Sequence, residues 1–540
     1  LLLLCREPSD RACPPGLLAL LTPWLALTAH LSLSSQAGAR GRTLILLDVN
    51  TKSPVRVTSE NFLSLQLDPS IIHDGWLDFL SSRRLVTLAR GLAPAFLRFA
   101  GKRSDFLQFR NVRNPAKSRG GPGPDYYLKN YEDDIVRSDI ALDKQKGCKI
   151  AQHPDIMLEL QREKAAQMHL VLLKEQFSNT YSNLTLTARS LDKLYNFADC
   201  SGLHLIFALN ALRRNPDNSW NSSNALSLLK YSASKKYNIS WELGNEPSNY
   251  RTLTGRTVSG SQLGKDYVQL KRLLQLIRTY TRASLYGPNI GRPRKNVIAL
   301  LEGFMKAAGR TVDAVVNTYT PGKRIWLEGI GATSAGGMNN LSDSYAAGFL
   351  WLNTLGMLAN QGIDVVIRHS FFDHGHNHLV DQNFNPLPDY WLSLLYKRLV
   401  GPKVLAVHVA GLQRKPRPGR VIRDKLRIYA HCTSYHNHNY VRGSITLYII
   451  NLHRSRKKIK LVGTLRDKIV HQYLLQPYGK DGLHSRSVQL NGELLAVTDD
   501  GALPELKLRP LRAGRTLVIP PLTMSFYVVK NVNALACRYR

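Results

Sequence analysis

The chain has 540 residues, of which 44% are hydrophobic and 21% are charged. This composition is typical of folded globular proteins and excludes a largely disordered chain. The length exceeds that of one ordinary domain, so we expect a large core domain and a second unit. The formal net charge of +34 and the sequence pI near 10.0 favour an acidic binding partner.

An apolar run near the beginning of the sequence predicts a secretory signal peptide. The run extends from Leu17 to Leu33, and the small residues Ser34 to Gly38 that follow it suit a cleavage site. We therefore assign residues 1–38 to a signal peptide. An N-terminal membrane anchor is the alternative, and it is disfavoured because the run is short and is interrupted by proline.

The cysteines and the glycosylation motifs agree with an oxidising extracellular compartment. Cys5 and Cys13 lie in the predicted signal region, and the remaining four cysteines are an even number suited to two disulfides. The four are Cys148, Cys200, Cys432 and Cys537. Four N-glycosylation motifs begin at Asn183, Asn221, Asn238 and Asn340. Because no Cys-x-x-Cys spacing occurs, we do not expect a metal site.

From residue 62 to residue 400, short apolar strands alternate with helical stretches, which is the pattern of an α/β protein with a parallel sheet. Eight strands are predicted, the number of a (β/α)8 TIM-type barrel. They are Phe62 to Leu67, Ala95 to Gly101, His204 to Asn210, Ile239 to Gly244, Ser284 to Pro288, Val312 to Tyr319, Arg324 to Gly329 and Asp364 to Phe372. A long insert at residues 111–165 separates the second strand from the third.

After Pro402 the apolar residues recur at every second position, which predicts a C-terminal antiparallel β-sandwich over residues 402–540. The series begins at Leu426 and ends at Val528. Cys432 lies in phase with the apolar face of its strand, so a bridge to Cys537 would join the first and last strands of this domain. An early strand at residues 43–50 is a candidate to join the same sheet.

The segment Ile239 to Pro247 is a predicted strand that ends in Asn-Glu-Pro. Because the chemistry of a (β/α)8 barrel lies at the C-terminal ends of its strands, Glu246 is expected at the barrel mouth. There its carboxylic acid can protonate a glycosidic oxygen while Asn245 binds a sugar hydroxyl. A glutamate that only caps the next helix is the alternative, and the Trp-Glu-x-Gly-Asn-Glu-Pro context outweighs it.

Basic residues are concentrated in three clusters, which are Arg292 to Lys295, Arg414 to Arg427 and Arg454 to Lys460. Each cluster alone is consistent with a solvated loop. Together with the large net charge they favour binding to a polyanion, and a secreted glycoprotein is expected to meet a sulfated glycan or an anionic cell surface.

Several segments of the chain resemble glycoside hydrolase family 79, the heparanases, and within that family its catalytically inactive branch. These segments are Thr87 to Leu92, Phe96 to Phe99, Asn221 to Ala225, Asn238 to Pro247, Tyr286 to Pro288 and Pro386 to Trp391. The resemblance implies a barrel with a C-terminal sandwich, descent from a retaining endo-β-glucuronidase, and heparan sulfate or heparin as the ligand. No cofactor is expected.

The resemblance also implies roles for single residues. Glu246 matches the acid/base of the family, Asn245 lies beside it, and Asp68 matches an aspartate that contacts the glycan. A heparin-binding segment of the family matches Arg292, Arg294 and Lys295.

The nucleophile position departs from the family. Active members read Trp-Leu-Gly-Glu where this chain reads Trp326 to Gly329, so the carboxylate is one residue early, at Glu328. Because side chains alternate along a strand, we expect Glu328 to point to the opposite face, as a displaced nucleophile. A retaining mechanism requires two carboxyl groups about 5 to 5.5 Å apart, and this slip prevents that geometry unless the strand contains a bulge.

One predicted crossover is too short. Val312 to Tyr319 and Arg324 to Gly329 are separated by four residues, whereas successive parallel strands need a connection of a dozen or more. The family has a further strand segment and a helix at this place. We therefore expect that one crossover helix is missing, near Val315 and Val316.

The leading interpretation is a secreted protein of the extracellular matrix and cell surface that binds heparan sulfate proteoglycans or heparin. It would be a pseudo-enzyme that competes with active heparanase for heparan sulfate. The alternative is an active retaining endo-β-glucuronidase that uses Glu246 as acid/base and Glu328 as nucleophile. A nucleic-acid-binding protein fits the charge alone, and the signal peptide, glycosylation motifs and cysteines argue against it.

Overall fold

The structure, a computed structural model, describes residues 44–72, 75–111, 142–143, 148–151, 170–171, 174–175, 178, 180–291, 295–308, 324–332, 337–372, 375–411 and 425–539. The strands are β1 Leu44–Val49, β2 Arg56–Val57, β3 Leu63–Leu67, β4 Ala95–Phe99, β5 Leu107–Arg110, β6 Leu142–Asp143, β7 Ile150–Ala151, β8 Leu184–Thr187, β9 Leu203–Leu209, β10 Ile239–Leu243, β11 Trp326–Ile330, β12 Val365–Arg368, β13 Val400–Leu405, β14 Val407–Ala410, β15 Leu426–Thr433, β16 Ile445–Asn451, β17 Lys457–Leu461, β18 Val470–Pro477, β19 Val488–Leu490, β20 Glu493–Leu494, β21 Arg509–Leu511, β22 Leu517–Ile519 and β23 Thr523–Val529. The α-helices whose bounds lie within the described residues are α1 Arg83–Gly91, α2 Ala188–Cys200, α3 Ser223–Ser234, α4 Tyr250–Thr254, α5 Gly260–Leu276, α6 Lys295–Ala308, α7 Tyr345–Gln361 and α8 Pro388–Leu399. None of the helices in the described ranges is long and apolar enough to cross a membrane.

Among the described residues, six parallel strands form one curled sheet in the order β10-β9-β4-β3-β12-β11. Neighbours in this sheet are consecutive in the chain from β3 to β10 and from β11 to β12, and the first strand, β3, lies beside the last, β12. This is the strand order of a (β/α)8 barrel. Strands β3, β10 and β12 are buried at every position, because one face meets the barrel interior and the other meets helices. The predicted fold class is confirmed in the part of the barrel that the structure describes.

The predicted strand Ser284 to Pro288 is reduced to a single bridge. The N–H of Trp241 donates to the carbonyl of Ser284 at 3.0 Å, and the carbonyl of Trp241 accepts from Tyr286 at 2.9 Å, so this segment continues the sheet beyond β10. Pro288 has no N–H with which to extend the pairing.

Several sequence-based predictions lie outside the described residues. The signal peptide, most of the insert at 111–165, the strand Val312 to Tyr319 and the missing crossover near Val315 and Val316 belong to this group. They remain predictions.

Aromatic side chains fill the lower part of the barrel interior. The ring of Trp326 on β11 lies 4.9 Å from Phe96 on β4 and 4.3 Å from Tyr286, measured between ring centroids. Opposite walls therefore meet in a packed core, as the interior of such a barrel requires. The polar side chains that form the candidate site lie two residues further along the same strands, in the next layer of the barrel interior.

Two further sheets form the C-terminal sandwich. A nine-stranded sheet runs in the order β2-β13-β15-β16-β23-β18-β19-β20, with β21 paired to β18, and a four-stranded sheet runs β14-β1-β17-β22. Strands β16 and β23 are buried at every position. The apolar residues that recur at every second position in the sequence therefore do not alternate with residues exposed to water. One face of the larger sheet packs on the smaller sheet, and the other packs on α7, where Tyr429 contacts Gly356.

Strand β1 lies in the four-stranded sheet, antiparallel to β14 and parallel to β17. Both disulfides form, one between Cys148 and Cys200 and one between Cys432 and Cys537. Cys537 lies in a single helical turn at Leu535–Cys537, beyond the last strand. The Cys432–Cys537 bridge thus ties the end of the chain to β15.

Candidate functional site

Glu246 follows β10 at the C-terminal edge of the barrel sheet. Its φ is 47°, and its N–H donates to Asn289 Oδ1 at 3.0 Å. The side-chain Nδ2 of Asn249 donates to Glu246 Oε2 at 2.7 Å. Gly291 lies so close that a Cβ there would be 3.3 Å from Glu246 Cγ, and its φ of 72° also favours glycine. The predicted acid/base residue is therefore held at the barrel mouth by the segments that follow it.

Asp105 supports the loop that carries Asn245 and Glu246. Its carboxylate accepts from the Asn245 N–H at 2.9 Å, from the Tyr250 hydroxyl at 3.0 Å and from the Ala211 N–H at 2.8 Å. Burial raises the pKa of Asp105 to about 6, although these hydrogen bonds lower it. This buried carboxylate connects the ends of β9 and β10.

A buried arginine occupies the centre of the site. Arg98 on β4 pairs through Nε with Glu242 Oε2 at 2.9 Å and with Glu328 Oε2 at 3.2 Å. Its two terminal nitrogens donate to Gln66 Oε1 and to Asn245 Oδ1, each at 3.2 Å. Since the side-chain oxygen of Asn245 accepts from Arg98, its Nδ2 is the group that can donate to a sugar hydroxyl.

The expected orientation of Glu328 is wrong. Its side chain points into the barrel, where Oε2 contacts Arg98 and accepts from Asn289 Nδ2 at 2.6 Å. Trp326 already points inward, so the period of two places Glu328 inward as well. The pairing of β11 with β12 shifts register between Leu327 and Ile330, and Gly329 has a φ of 70°. The irregularity therefore follows Glu328 and leaves Gly329, which has no side chain, at the position of the family's nucleophile.

Asn289 brings the two predicted catalytic residues together. Its side-chain oxygen accepts from the backbone of Glu246, and its side-chain nitrogen donates to the carboxylate of Glu328. The Glu328 carboxylate is thus shared between a guanidinium and an amide, an arrangement that disperses its negative charge and lowers its nucleophilicity.

The charges in the barrel are unequal, because one guanidinium faces two carboxyl groups. Burial is the main cause that raises the pKa of Glu242 to about 8, and repulsion from the nearby Glu328 acts in the same direction. Arg98 opposes this shift. Burial alone would lower the pKa of Arg98, but the two carboxylates raise it above its usual value. The carboxyl of Glu242 therefore keeps its proton to a higher pH than an ordinary glutamate does.

Asp68 lies at the end of β3, on the same edge of the sheet as Glu246. Its Oδ1 accepts from the Ser70 N–H at 2.9 Å, and its Oδ2 would be 1.7 Å from a Cβ at Gly101. The close approach requires glycine at 101, whose φ is 158°. Two strands of the sheet, β4 and β9, lie between β3 and β10, so Asp68 and Glu246 occupy different parts of the barrel mouth.

The other predicted binding residues are only partly described. Lys295 is the first residue of α6 and is exposed, whereas Arg292 and Arg294 lie outside the described residues. Asn183, Asn238 and Asn340 are exposed, as glycosylation requires. Asn221 is half-buried, and its Oδ1 accepts from the N–H and the hydroxyl of Ser223.

Sequence reasoning gave no role to Arg98, Glu242, Asn289 or Asp105. An arginine within the apolar strand Ala95–Phe99 was the available signal, because a buried guanidinium requires a carboxylate partner. The identity of that partner was not available, since Glu242 and Glu328 come from distant parts of the chain.

Comparisons with known proteins relate the whole chain to one family. Residues 152–293 match the sequence model of the glycosyl hydrolase family 79 N-terminal domain. The chain is 80% identical to human inactive heparanase-2, over 99% of this chain and 98% of that protein. It is 42% identical to mouse heparanase, over 91% of this chain and 94% of that protein.

The alignment with the human relative spans 581 positions, more than the 540 residues of this chain. That relative therefore contains residues that have no counterpart here, as an internal deletion in this chain would produce. The solved structure of a 4-O-α-L-rhamnosyl-β-D-glucuronidase from Fusarium oxysporum is similar in fold, with a TM-score of 0.52 at 11% identity, covering 90% of this chain and 100% of that one. By its identity to these relatives over nearly its full length, the chain belongs to the heparanase family, within glycosyl hydrolase family 79.

Proposed function

We propose that this chain is a heparan sulfate-binding protein that has kept the acid/base half of a glycosidase site and lost the nucleophile half. The observation that carries the proposal is the engagement of Glu328 by Arg98 and Asn289 beside Gly329, which offers no carboxylate. A retaining hydrolase needs a second carboxylate that is free to attack the sugar. The relatives at 80% and 78% identity are named inactive heparanase-2, which supports the same conclusion.

We infer the class of glycan from the net charge of the chain and from its family relationship. A net charge of +34 attracts sulfated chains over long distances, and heparan sulfate is the class that the heparanase relatives act on by name. Binding should weaken steeply with salt, because each neutralised sulfate or carboxylate releases counterions; the relation was established for nucleic acids.

Heparin affinity tests the binding half of the proposal. The full chain is loaded on immobilised heparin and on an uncharged polysaccharide resin, and the salt concentration at elution is compared. We expect elution from heparin at much higher salt. Equal elution from both resins would show that the chain does not bind the sulfated glycan.

Chain-length analysis of heparan sulfate tests the catalytic half. The purified chain is expected to leave the size distribution unchanged after prolonged incubation, whereas mouse heparanase shortens it. Shortening by this chain that disappears in Glu246→Gln would establish the alternative, an active retaining endo-β-glucuronidase.

Competition and location complete the proposal. A protein that binds heparan sulfate without cleaving it should slow its digestion by active heparanase, in proportion to the fraction of glycan occupied.

We place the protein outside the cell, in the matrix and at the cell surface through proteoglycans. Expression in mammalian cells checks this location, since a secreted form should enter the medium and lose mass on treatment with an N-glycosidase.

A further inference from the structure

The four-stranded sheet β14-β1-β17-β22 is the outermost layer of the sandwich. Its inner face contributes Ile45, Leu47, Ile459 and Leu461 to the core shared with the larger sheet. The larger sheet packs its opposite face on helix α7, which belongs to the barrel. The outer face of the four-stranded sheet therefore points away from the barrel.

Strand β17 and the residue before it carry a row of cations on this outer face. Ile459 and Leu461 point inward, so alternation turns Lys458 and Lys460 outward, and Arg456 continues the row just before the strand. Arg456 and Lys458 are exposed, and Lys460 is half-buried. We name Arg456, Lys458 and Lys460 the outer basic row. Successive members are two residues apart along an extended chain, a spacing of about 6.6 to 6.8 Å.

The loop between β21 and β22 adds to the positive charge at one end of the row. Lys460 Nζ donates to the carbonyl of Gly514, which holds this loop against β17. Arg512 and Arg515 in the same loop are exposed. None of the ion pairs among the described residues involves the row or these two arginines.

The strands beside the row carry mostly apolar residues on this face and contain no aromatic residue. The half-buried Asp48, two residues beyond Leu46 on β1, is an acidic residue of the same face. Leu44 and Leu46 on β1 and Val518 on β22 flank the lysines and are exposed by 43%, 38% and 42%. A surface that inserts into a membrane interface usually carries tryptophan or phenylalanine, and the four strands have neither. A regularly spaced row of cations that form no ion pair among the described residues fits a linear polyanion better than a bilayer.

We propose that the outer basic row binds a sulfated glycan chain lengthwise, at a site separate from the barrel mouth. This inference rests on the proposed function, because it specifies a surface for the glycan binding that the whole chain is expected to show. It assigns that binding to folded, regularly spaced residues of the sandwich, in addition to the cluster Arg292 to Lys295 in the barrel part of the chain.

The test compares two triple variants of the full chain that lose equal charge. The row variant is Arg456→Gln, Lys458→Gln and Lys460→Gln. The control variant is Arg272→Gln, Arg278→Gln and Arg282→Gln, three exposed arginines of the barrel that make no ion pair among the described residues. Thermal unfolding first verifies that both variants fold, and affinity for heparin is then measured as a function of salt.

We expect the row variant to bind heparin at least tenfold more weakly than the parent near 0.15 M salt. The plot of log affinity against log salt has a negative slope, and the magnitude of this slope should decrease by about two to three. The control variant should change affinity by less than about twofold. If both variants lose affinity equally, or neither does, the row is not a site and only net charge matters. If the parent itself does not bind heparin, the proposed function fails instead. Binding to phosphatidylserine vesicles that depends on the row, without an effect on heparin, would identify a membrane site and overturn the proposal.

Discussion

Arg98, Glu242 and Glu328 form the centre of the site at the scale of single residues. The guanidinium compensates one buried and one partly buried carboxyl group, so its removal should cost more than the removal of either partner. We expect Arg98→Leu to lower the free energy of unfolding by about 3–5 kcal/mol, the range for breaking a buried ion pair. Glu328→Gln should cost less, because Glu242 can then ionise and pair with Arg98 alone. Urea unfolding of the two variants checks the order, and a larger loss in Glu328→Gln would contradict it.

The raised pKa of Glu242 makes stability depend on pH. Its pKa is about 8 in the folded chain, against an ordinary value near 4.5, so the folded state holds a proton that the unfolded state releases between these values. The stabilising effect of that proton is complete below pH 4.5 and is lost as the pH rises through 8. One proton changes the free energy of unfolding by at most about 1.4 kcal/mol per pH unit.

Urea midpoints measured from pH 5 to pH 9 for the parent and for Glu242→Gln isolate this contribution. Asp105 and Asp389, whose pKa values burial raises to about 6, act with the same sign but at lower pH and are present in both proteins. The parent should therefore lose stability relative to the variant between pH 6 and pH 8. Parallel curves would show that Glu242 is ionised throughout.

At the scale of elements, strand β11 shows what sequence could and could not predict. Its place in the barrel is evident from the residues alone, and the early position of Glu328 follows from the resemblance to the family's motif. The direction in which the Glu328 side chain points could not be predicted in the same way. The prediction assumed that side chains alternate regularly along the strand up to the position of the family's nucleophile. The register shift between Leu327 and Ile330 lies beyond Glu328, and it depends on pairing with β12, which sequence does not show.

The contact between helix α7 and strand β15 offers a test of how the barrel and the sandwich fit. A Cβ at Gly356 would lie 2.5 Å from the ring of Tyr429, whose hydroxyl donates to Asn353 Oδ1 at 2.9 Å. Gly356→Ala should thus overpack the interface by about 1–3 kcal/mol, offset by up to about 1 kcal/mol of helix propensity. We expect a net loss of about 1–2 kcal/mol in thermal or urea unfolding.

Met357, the next residue of α7, is 39% exposed and provides the control. Met357→Ala should change stability by no more than about 0.5 kcal/mol, as is usual on a surface. An unchanged stability in Gly356→Ala would mean that β15 can move away from the helix without cost.

At the scale of the whole molecule, the order of the barrel strands and the existence of a C-terminal sandwich follow from hydrophobic periodicity. Hydrophobic periodicity does not show which strands belong to each sheet of the sandwich. Strand β1 precedes the barrel in the chain but lies between β14 and β17, and β2 pairs with β13. Such pairings join residues more than 300 positions apart, and no local pattern in the sequence specifies them.

The position of β1 predicts that the sandwich cannot fold from the C-terminal residues alone. Ile45, Leu47 and Val49 are no more than 3% exposed, and β1 supplies the central pairing of the four-stranded sheet. A fragment of residues 400–539 would expose the apolar faces of β14, β17 and β22 and leave the backbone of β17 unpaired on one side. We expect it to aggregate.

Attachment of residues 44–57 to the same fragment through a flexible linker should restore a soluble sandwich, because it returns both β1 and β2 to their partners. The matched control carries Leu47→Asp in the attached segment, which places a charge in the core and should abolish the rescue. Soluble yield and a cooperative thermal transition are the measurements. A soluble 400–539 fragment with a cooperative transition of its own would show that β1 is an accessory to a sandwich that folds independently, and that the two ends of the chain meet only after each domain has formed.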